Sequence, residues 1–340
     1  MAKTAMIIGG TGQIGLAAAR LLASQGWRVV ALHRGGGPAP DELSALGVEV
    51  RTGDRDKQGE LEAALSDGAD AVIDCVAFDE NHARQLLALQ ASIGALVVVS
   101  SASVYRDAAG RTIDEARHNG FPRFPVPIGE DQPTVAPGPE TYSTRKAALE
   151  QALLASARIP LAILRAGAIY GAGSRHPREW FFVKRLLDGR TAVPLAFSGK
   201  SRFHVAGTAN IASIALAAIE AGGIQVLNAA DPDAPSVLEI GEAIARVYGS
   251  KMELLPFQGP PEGSPGGVGA HPWCIPDPIV LDVSKAQALG WKPGPDYAGS
   301  IGEACRSAEA LHRAGIAFAP YIDALFDYAA EDAWLAGRAT

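Results

Sequence analysis

A chain of 340 residues, 48% apolar and 20% charged, has room for one large domain or two unequal ones, and it buries about three quarters of its unfolded surface without disulfide or metal staples. The net charge of −7 is spread along the chain, leaving no basic face for nucleic acid. No apolar run reaches the roughly 18 residues of a membrane span, and the N-terminus lacks a signal-like apolar region. Cys75, Cys274 and Cys305 have no paired spacing, which predicts a reducing cytoplasm and no metal site.

The chain opens on an apolar strand that runs into Gly9-Gly10-Thr11-Gly12-Gln13-Ile14-Gly15 and then into a helix. Glycines spaced in this way permit a tight turn, let backbone approach a pyrophosphate, and bring the helix close to a sheet. The helix N-terminus then offers unpaired N–H groups and partial positive charge. Ile14, Ala17, Ala18, Leu21 and Leu22 recur at helical spacing up to Gly26, and Arg28 to Leu32 forms a second strand. At its tip stand His33 and Arg34. NAD-binding folds place a carboxylate there for the ribose 2′-hydroxyl, whereas an arginine receives a 2′-phosphate. The expectation is therefore NADP in preference to NAD, with NAD possible; the alternative is that Arg34 is a solvated loop residue.

Val48 to Arg51 reads as a third strand, followed by Gly53-Asp54. Asp54 either meets the adenine edge or caps the helix beginning near Gln58. Ala71 to Val76 is a fourth strand, too continuously apolar to face water, and Leu96 to Val99 a fifth, after a helix from about Asn81 to Ile93. This alternation predicts a parallel, doubly wound sheet whose ligands lie beyond the carboxyl ends of its strands.

Two segments past those ends carry chemistry. The fifth strand ends in Ser100-Ser101-Ala102-Ser103-Val104-Tyr105, and a proline- and glycine-rich loop leads to Tyr142-Ser143-Thr144-Arg145-Lys146. On a helix Tyr142 and Lys146 share one face. A phenol beside an ammonium ionises more readily and can exchange a proton with a substrate oxygen, which a serine hydroxyl can hold in line. None of the other tyrosines has a lysine four residues on.

With these segments the chain resembles the extended short-chain dehydrogenase/reductases, often labelled NAD-dependent epimerase/dehydratases. Leu164 to Gly171, Arg202-Phe203-His204-Val205 with Asn210-Ile211-Ala212, and Asp282-Val283-Ser284-Lys285-Ala286 with Leu289-Gly290-Trp291-Lys292-Pro293 carry the resemblance from about residue 3 to 297. It implies that Tyr142 is the general acid/base, that Lys146 lowers its pKa and grips the nicotinamide ribose, and that Ser101 orients the substrate oxygen. The cofactor is expected on Gly9, Gly12, Gln13, Ile14, Gly15, Arg34, Asp54 and Lys146. Ala102 and Ser103 stand where the family's 4,6-dehydratases carry an Asp-Glu pair, which argues against dehydration. Asn210 replaces an expected aspartate, about two residues farther from His204 than the pattern has it. Substrate contacts are expected from Ser103, Arg175, Arg178 and Arg202; each arginine can equally be a surface residue.

The fold class expected is α/β, a Rossmann-type doubly wound parallel sheet in residues 1–170 and 204–228, with a smaller interleaved C-terminal substrate domain in 171–203 and 229–340. The segments read there are helices over Ala209 to Ala221 and Val237 to Tyr248, a strand over Gln225 to Asn228, and C-terminal amphipathic helices over Ile301–His312 and Ile322–Leu335, which close the core or pair subunits as a homodimer. The proline- and glycine-rich stretch 256–278 reads as a substrate-side cover carrying His271, Trp273 and Cys274; a Cys-His nucleophile there lacks a third member. His176, His204 and His271 are not at metal spacings. The expected activity is hydride transfer at a carbinol or carbonyl carbon of a sugar, nucleotide-sugar or similar polyol, by a reductase or epimerase. The alternatives are a reductase of a non-sugar carbonyl compound and a non-catalytic regulator or RNA-binding relative of the plastid stem-loop-binding kind.

Overall fold

The computed structural model describes residues 2–35, 40–263 and 266–338. Its strands in chain order are β1 (Thr4–Ile8), β2 (Arg28–His33), β3 (Glu49–Thr52), β4 (Ala71–Asp74), β5 (Leu96–Ser101), β6 (Leu161–Ala166), β7 (Ala168–Tyr170), β8 (Ala192–Leu195), β9 (Val205–Gly207), β10 (Ile224–Ala229) and β11 (Glu253–Pro256). Two compact units divide the chain. One takes Met1–Gly167, Thr208–Ala230 and Leu281–Gly294; the other takes Ala168–Gly207, Asp231–Val280 and Pro295–Thr340.

The first unit is a Rossmann-type sheet of seven parallel strands in the order β10-β6-β5-β4-β1-β2-β3. β4 is buried along its whole length and β5 nearly so, which explains their unbroken apolar sequences: helices cover both faces of a central parallel strand. On one face Val30, Val72, Val98 and Ile163 pack with Leu86 of helix Glu80–Ala88 and Leu149 and Leu153 of helix Tyr142–Ser156. Each such side chain contributes roughly 1.5–3 kcal/mol on burial. The opposite pattern marks the edge strand β3, where Arg28 and Arg51 pair with Glu49 at 2.6 and 2.7 Å and Arg51 with Asp67 at 3.1 Å. Pairs this exposed add little stability, but they leave a charged edge that resists pairing with another chain.

The other edge, β10, is closed by the returning segment 281–294. Lys285 donates to the Val226 carbonyl at 2.7 Å, Asp282 accepts Ser284 N–H at 2.9 Å, and the Trp291 indole donates to Ser213 Oγ at 2.8 Å. Asn210 accepts Gly294 N–H at 2.9 Å, so the residue replacing an expected aspartate holds this segment.

In the second unit β7 pairs with β9 and β8 with β11. Its core gathers Trp180, Phe181 and Phe182 of helix Trp180–Leu187 with apolar residues of helices Val237–Val247 and Tyr297–Arg313. Ser236 and Glu239 form a capping box at the start of the former. Two expectations are corrected here. The single helix expected over Ile322–Leu335 is two, Pro320–Asp323 and Tyr328–Arg338, because Asp327 accepts Ala330 N–H at 3.0 Å and starts the second afresh. His271 and Trp273 are not on a cover: both are buried, their rings facing Phe181 and Phe182. No helix among the described residues is long and apolar enough to cross a membrane.

Candidate active site

The strand order reverses between β4 and β1, and the crevice beyond their carboxyl ends is where such sheets bind ligands. Gly9 turns there with φ +80°, donating with Gly10 to the Leu32 carbonyl at 2.9 and 3.1 Å. A Cβ on Gly15 would come within 2.4 Å of the Gly9 carbonyl, so only glycine lets the helix Gln13–Ser24 sit this close to the turn. No side chain caps that helix at Gly12, which leaves its first N–H groups for an anion. Gln13 carries a buried Oε1 without a hydrogen-bond partner at the same turn, and Ile14 is packed in the core below. The turn therefore fits the pyrophosphate of a dinucleotide.

Beside it is a cavity of 450 Å³ spanning the ends of β1 to β4. Ile8, Leu32, Val76 and Phe78 form its apolar walls, and Arg34 lines it together with His33 and Gly35. Asp54 does not. Its carboxylate is turned back to accept Asp56 N–H at 3.1 Å, and the following helix starts only at Glu60. Of the two roles expected for Asp54, the helix cap is not the one it plays: its carboxylate holds its own turn.

Arg55 lines the cavity instead, 5% exposed, its guanidinium paired with Asp74 at the end of β4 and with Gln85 at 3.1 Å. Sequence reading missed this residue. A lone arginine in a polar turn carries no periodic signal, and its partners lie 19 and 30 positions away.

Across the carboxyl end of β5 the two adjacent serines differ. Ser100 is buried and donates to Glu150 Oε1 at 2.5 Å; Glu150 in turn accepts Arg165 Nη2 at 2.7 Å. Ser101 points the other way, accepts Ser103 N–H at 3.1 Å and lies beside the Tyr142 phenol, whose pKa it lowers. The Ser103 hydroxyl is buried without a partner.

Tyr142 opens the helix Tyr142–Ser156, fixed by a Thr141/Thr144 capping box. Lys146 lies one turn on, its Nζ 5.7 Å from the centre of the Tyr142 ring. Ser101, Tyr142 and Lys146 are thus brought together within one unit. The Lys146 ammonium donates to the Ala77 and Val99 carbonyls at 2.6 and 2.9 Å, and burial pushes its pKa down to about 8, against the opposing pull of Asp74 and Glu150. In this arrangement the expected lowering of the Tyr142 pKa by Lys146 does not occur. Partial burial raises it, Asp114 raises it further, and the Ser101 side chain is the one influence that lowers it.

The three arginines expected to meet substrate lie in the second unit, and two of them are separately engaged. Arg178 donates to the Ile169 carbonyl at 3.3 Å and lies over Phe203. Arg202 donates to the Ala234 carbonyl and pairs with Glu239 at 3.2 Å, while Arg175 is exposed. His204 is buried with its Nε2 3.0 Å from the Asp231 carbonyl. His176 stacks on Tyr321.

Comparison with known proteins gives a consistent picture. The profile of the NAD dependent epimerase/dehydratase family matches residues 5–230. A Streptomyces protein described as a 3-diazoavenalumate denitrifying reductase is 23% identical over 312 residues, covering 85% of this chain and 95% of its own. UDP-N-acetylglucosamine 4-epimerase from Bacillus cereus superposes with a TM-score of 0.67 at 18% identity, over 90% of this chain and 99% of its own. A Bordetella bronchiseptica enzyme crystallised with NAD superposes with a TM-score of 0.65 at 20% identity, over 93% and 96%.

Proposed function

Because the chain belongs to the NAD dependent epimerase/dehydratase family and is an oxidoreductase/epimerase of the short-chain dehydrogenase/reductase type, we propose that Ser101, Tyr142 and Lys146 carry reversible hydride transfer at a carbinol or carbonyl carbon of a sugar, nucleotide-sugar or similar polyol. When bound, the dinucleotide supplies or accepts the hydride at its nicotinamide. The Tyr142 phenol passes the proton to or from the substrate oxygen. Ser101 holds that oxygen against the phenol, and Lys146 grips the nicotinamide ribose. The observation that carries this reading is the cluster itself: Ser101 at the end of β5 lowers the pKa of the Tyr142 phenol, and the Lys146 ammonium lies 5.7 Å from the centre of the Tyr142 ring, one helical turn on.

Gly9, Gly12, Gln13, Ile14 and Gly15 cradle the pyrophosphate, and Arg34 receives a 2′-phosphate, giving NADP preference. This rests on the cavity wall, where Arg34 stands and the end of β2 offers no carboxylate. Ser103, Arg175, Arg178 and Arg202 meet the substrate. The first unit is the cofactor domain and the second the substrate domain. The enzyme works in the cytoplasm, where its three free cysteines stay reduced.

The test is a pair of fluorescence titrations with NADPH and NADH. Tighter NADPH binding that weakens in Arg34→Ala supports the cofactor assignment, equal or tighter NADH binding refutes the Arg34 role, and binding of neither refutes hydride transfer. Tyr142→Phe must then lose turnover at unchanged cofactor affinity. A second reading, reduction of a non-sugar carbonyl compound, is favoured by the Streptomyces reductase. Stoichiometric consumption of the reduced cofactor would support reduction, and return of the cofactor unchanged after turnover would support epimerisation.

A further inference from the structure

Asp74 and Arg55 are buried charges at the carboxyl end of β4 that the hydride-transfer reading leaves without a role. We infer that Asp74 is a positioning residue for Lys146: its carboxylate is the counter-charge of the buried ammonium and ties the turn that leads to the Ala77 carbonyl. The inference rests on the reading of Lys146 as the group that grips the nicotinamide ribose, and concerns what keeps that group charged and in place.

Lys146 is 5% exposed, and its ammonium donates to the Ala77 and Val99 carbonyls. Carbonyls carry only partial charge and do not by themselves offset the burial of a cation. Asp74, the last residue of β4, is fully buried. Its Oδ1 accepts Val76 N–H at 3.0 Å, tying the chain one residue before Ala77, and its Oδ2 pairs with Arg55. The charged and titratable groups facing the ammonium are Asp74 and Cys75 at the end of β4, Arg55 after β3, and Glu150 and Tyr142 on its own helix. Burial pushes the Cys75 thiol up, so it is neutral at physiological pH. Glu150 is engaged by Ser100 and Arg165. Burial drives Lys146 toward the neutral amine; of the two carboxylates that resist this, Asp74 has the stronger pull, and Arg55 opposes it. Arg55, by pairing with Asp74, thus sets how much of that charge Lys146 feels.

The experiment titrates Lys146 itself, in the full chain without cofactor, by carbon-13 NMR of the lysine ε-carbons, with Lys146→Met identifying its signal. The wild-type midpoint is expected at about 8. In Asp74→Asn it should fall by about one pH unit or more, as on loss of a nearby opposite charge, and in Arg55→Gln it should rise. A merely structural role would not move the two in opposite directions. Should Asp74→Asn fail to fold, Asp74→Asn combined with Arg55→Gln, which leaves neither charge unpaired, decides the matter: its midpoint should still lie below that of the wild type, because Asp74 outweighs Arg55. A midpoint that stays in place or rises when Asp74 is neutralised overturns the inference. NADPH titrations of the same variant, followed by fluorescence, should show weaker binding than wild type at pH 7.5 and recovery toward it at pH 6, where Lys146 regains its proton. A lowered midpoint with NADPH affinity that ignores it supports the coupling of Asp74 to Lys146 and refutes the reading of Lys146 as the cofactor's grip.

Discussion

Asp114 Oδ2 accepts both the backbone N–H and the hydroxyl of Ser143, at 2.8 and 2.7 Å, directly after Tyr142. A carboxylate placed on the first turn of this helix offsets the partial positive charge that would otherwise favour a phenolate there. We predict that Asp114→Asn lowers the Tyr142 pKa and that Ser101→Ala raises it. Ultraviolet titration of each variant against the same variant carrying Tyr142→Phe isolates this one phenol; a curve unmoved by Asp114→Asn would refute the coupling.

The two serines of β5 should separate cleanly. Ser101→Ala is expected to cost about 10²-fold in kcat, typical for loss of one donor to a developing oxyanion, with cofactor affinity unchanged. Ser100→Ala should leave the chemistry intact and lower stability, since it removes a buried partner of Glu150. Steady-state kinetics on both variants decides it, and equal losses of kcat would argue against Ser101 as the substrate-facing hydroxyl.

Glu150 and Arg165 form a buried pair whose guanidinium also lies over the Tyr105 ring. Glu150→Gln leaves that charge without its counter-ion and is expected to destabilise the fold by about 3–5 kcal/mol. Urea unfolding at neutral pH measures it.

His271 is buried with both ring nitrogens lacking hydrogen-bond partners, and burial, with Arg185 adding repulsion, pushes its pKa down to about 3 from 6.5. Between those values the unfolded chain binds the proton and the folded chain does not, so stability falls as pH drops below 6.5. From pH 6.5 to 5 this residue alone accounts for about 2 kcal/mol. Urea midpoints for wild type and His271→Leu at pH 7.5 and 5 test the sign: the variant should lose less stability on acidification.

Gly15→Ala should abolish or strongly weaken dinucleotide binding, because the added methyl meets the Gly9 and Gly10 backbone. A titration of the variant matching that of the wild type would show that the turn tolerates a wider helix approach.

The sheet and the grouping of Tyr142 with Lys146 were legible because their signals are local. Continuous apolar runs mark β4 and β5, a glycine turn ends β1, and Tyr142 and Lys146 lie one helical turn apart. What was missed depends on distant partners or on residues that argue against the structure they adopt. β8 and β11 carry Pro194 and Pro256, which ordinarily count against strands. Arg55 gains its place only through Asp74 and Gln85, and Asp114 through Ser143, 29 positions on. The reversed pKa expectation for Tyr142 has the same origin: helical spacing puts Lys146 near the phenol, but the carbonyls that hold its ammonium belong to the loop after β4 (Ala77) and to β5 (Val99).

The chain passes from one unit to the other five times, at residues 167/168, 207/208, 230/231, 280/281 and 294/295. During synthesis the ribosome has therefore made one long stretch of the second unit before it delivers β10, and another before Lys285 and Trp291 arrive to close the edge. The parallel sheet waits with β6 exposed at its border, a configuration open to mispairing. Neither unit corresponds to a continuous piece of gene, so excising the seven-stranded unit as a fragment 1–170 would yield a six-stranded sheet lacking its last strand and its lock.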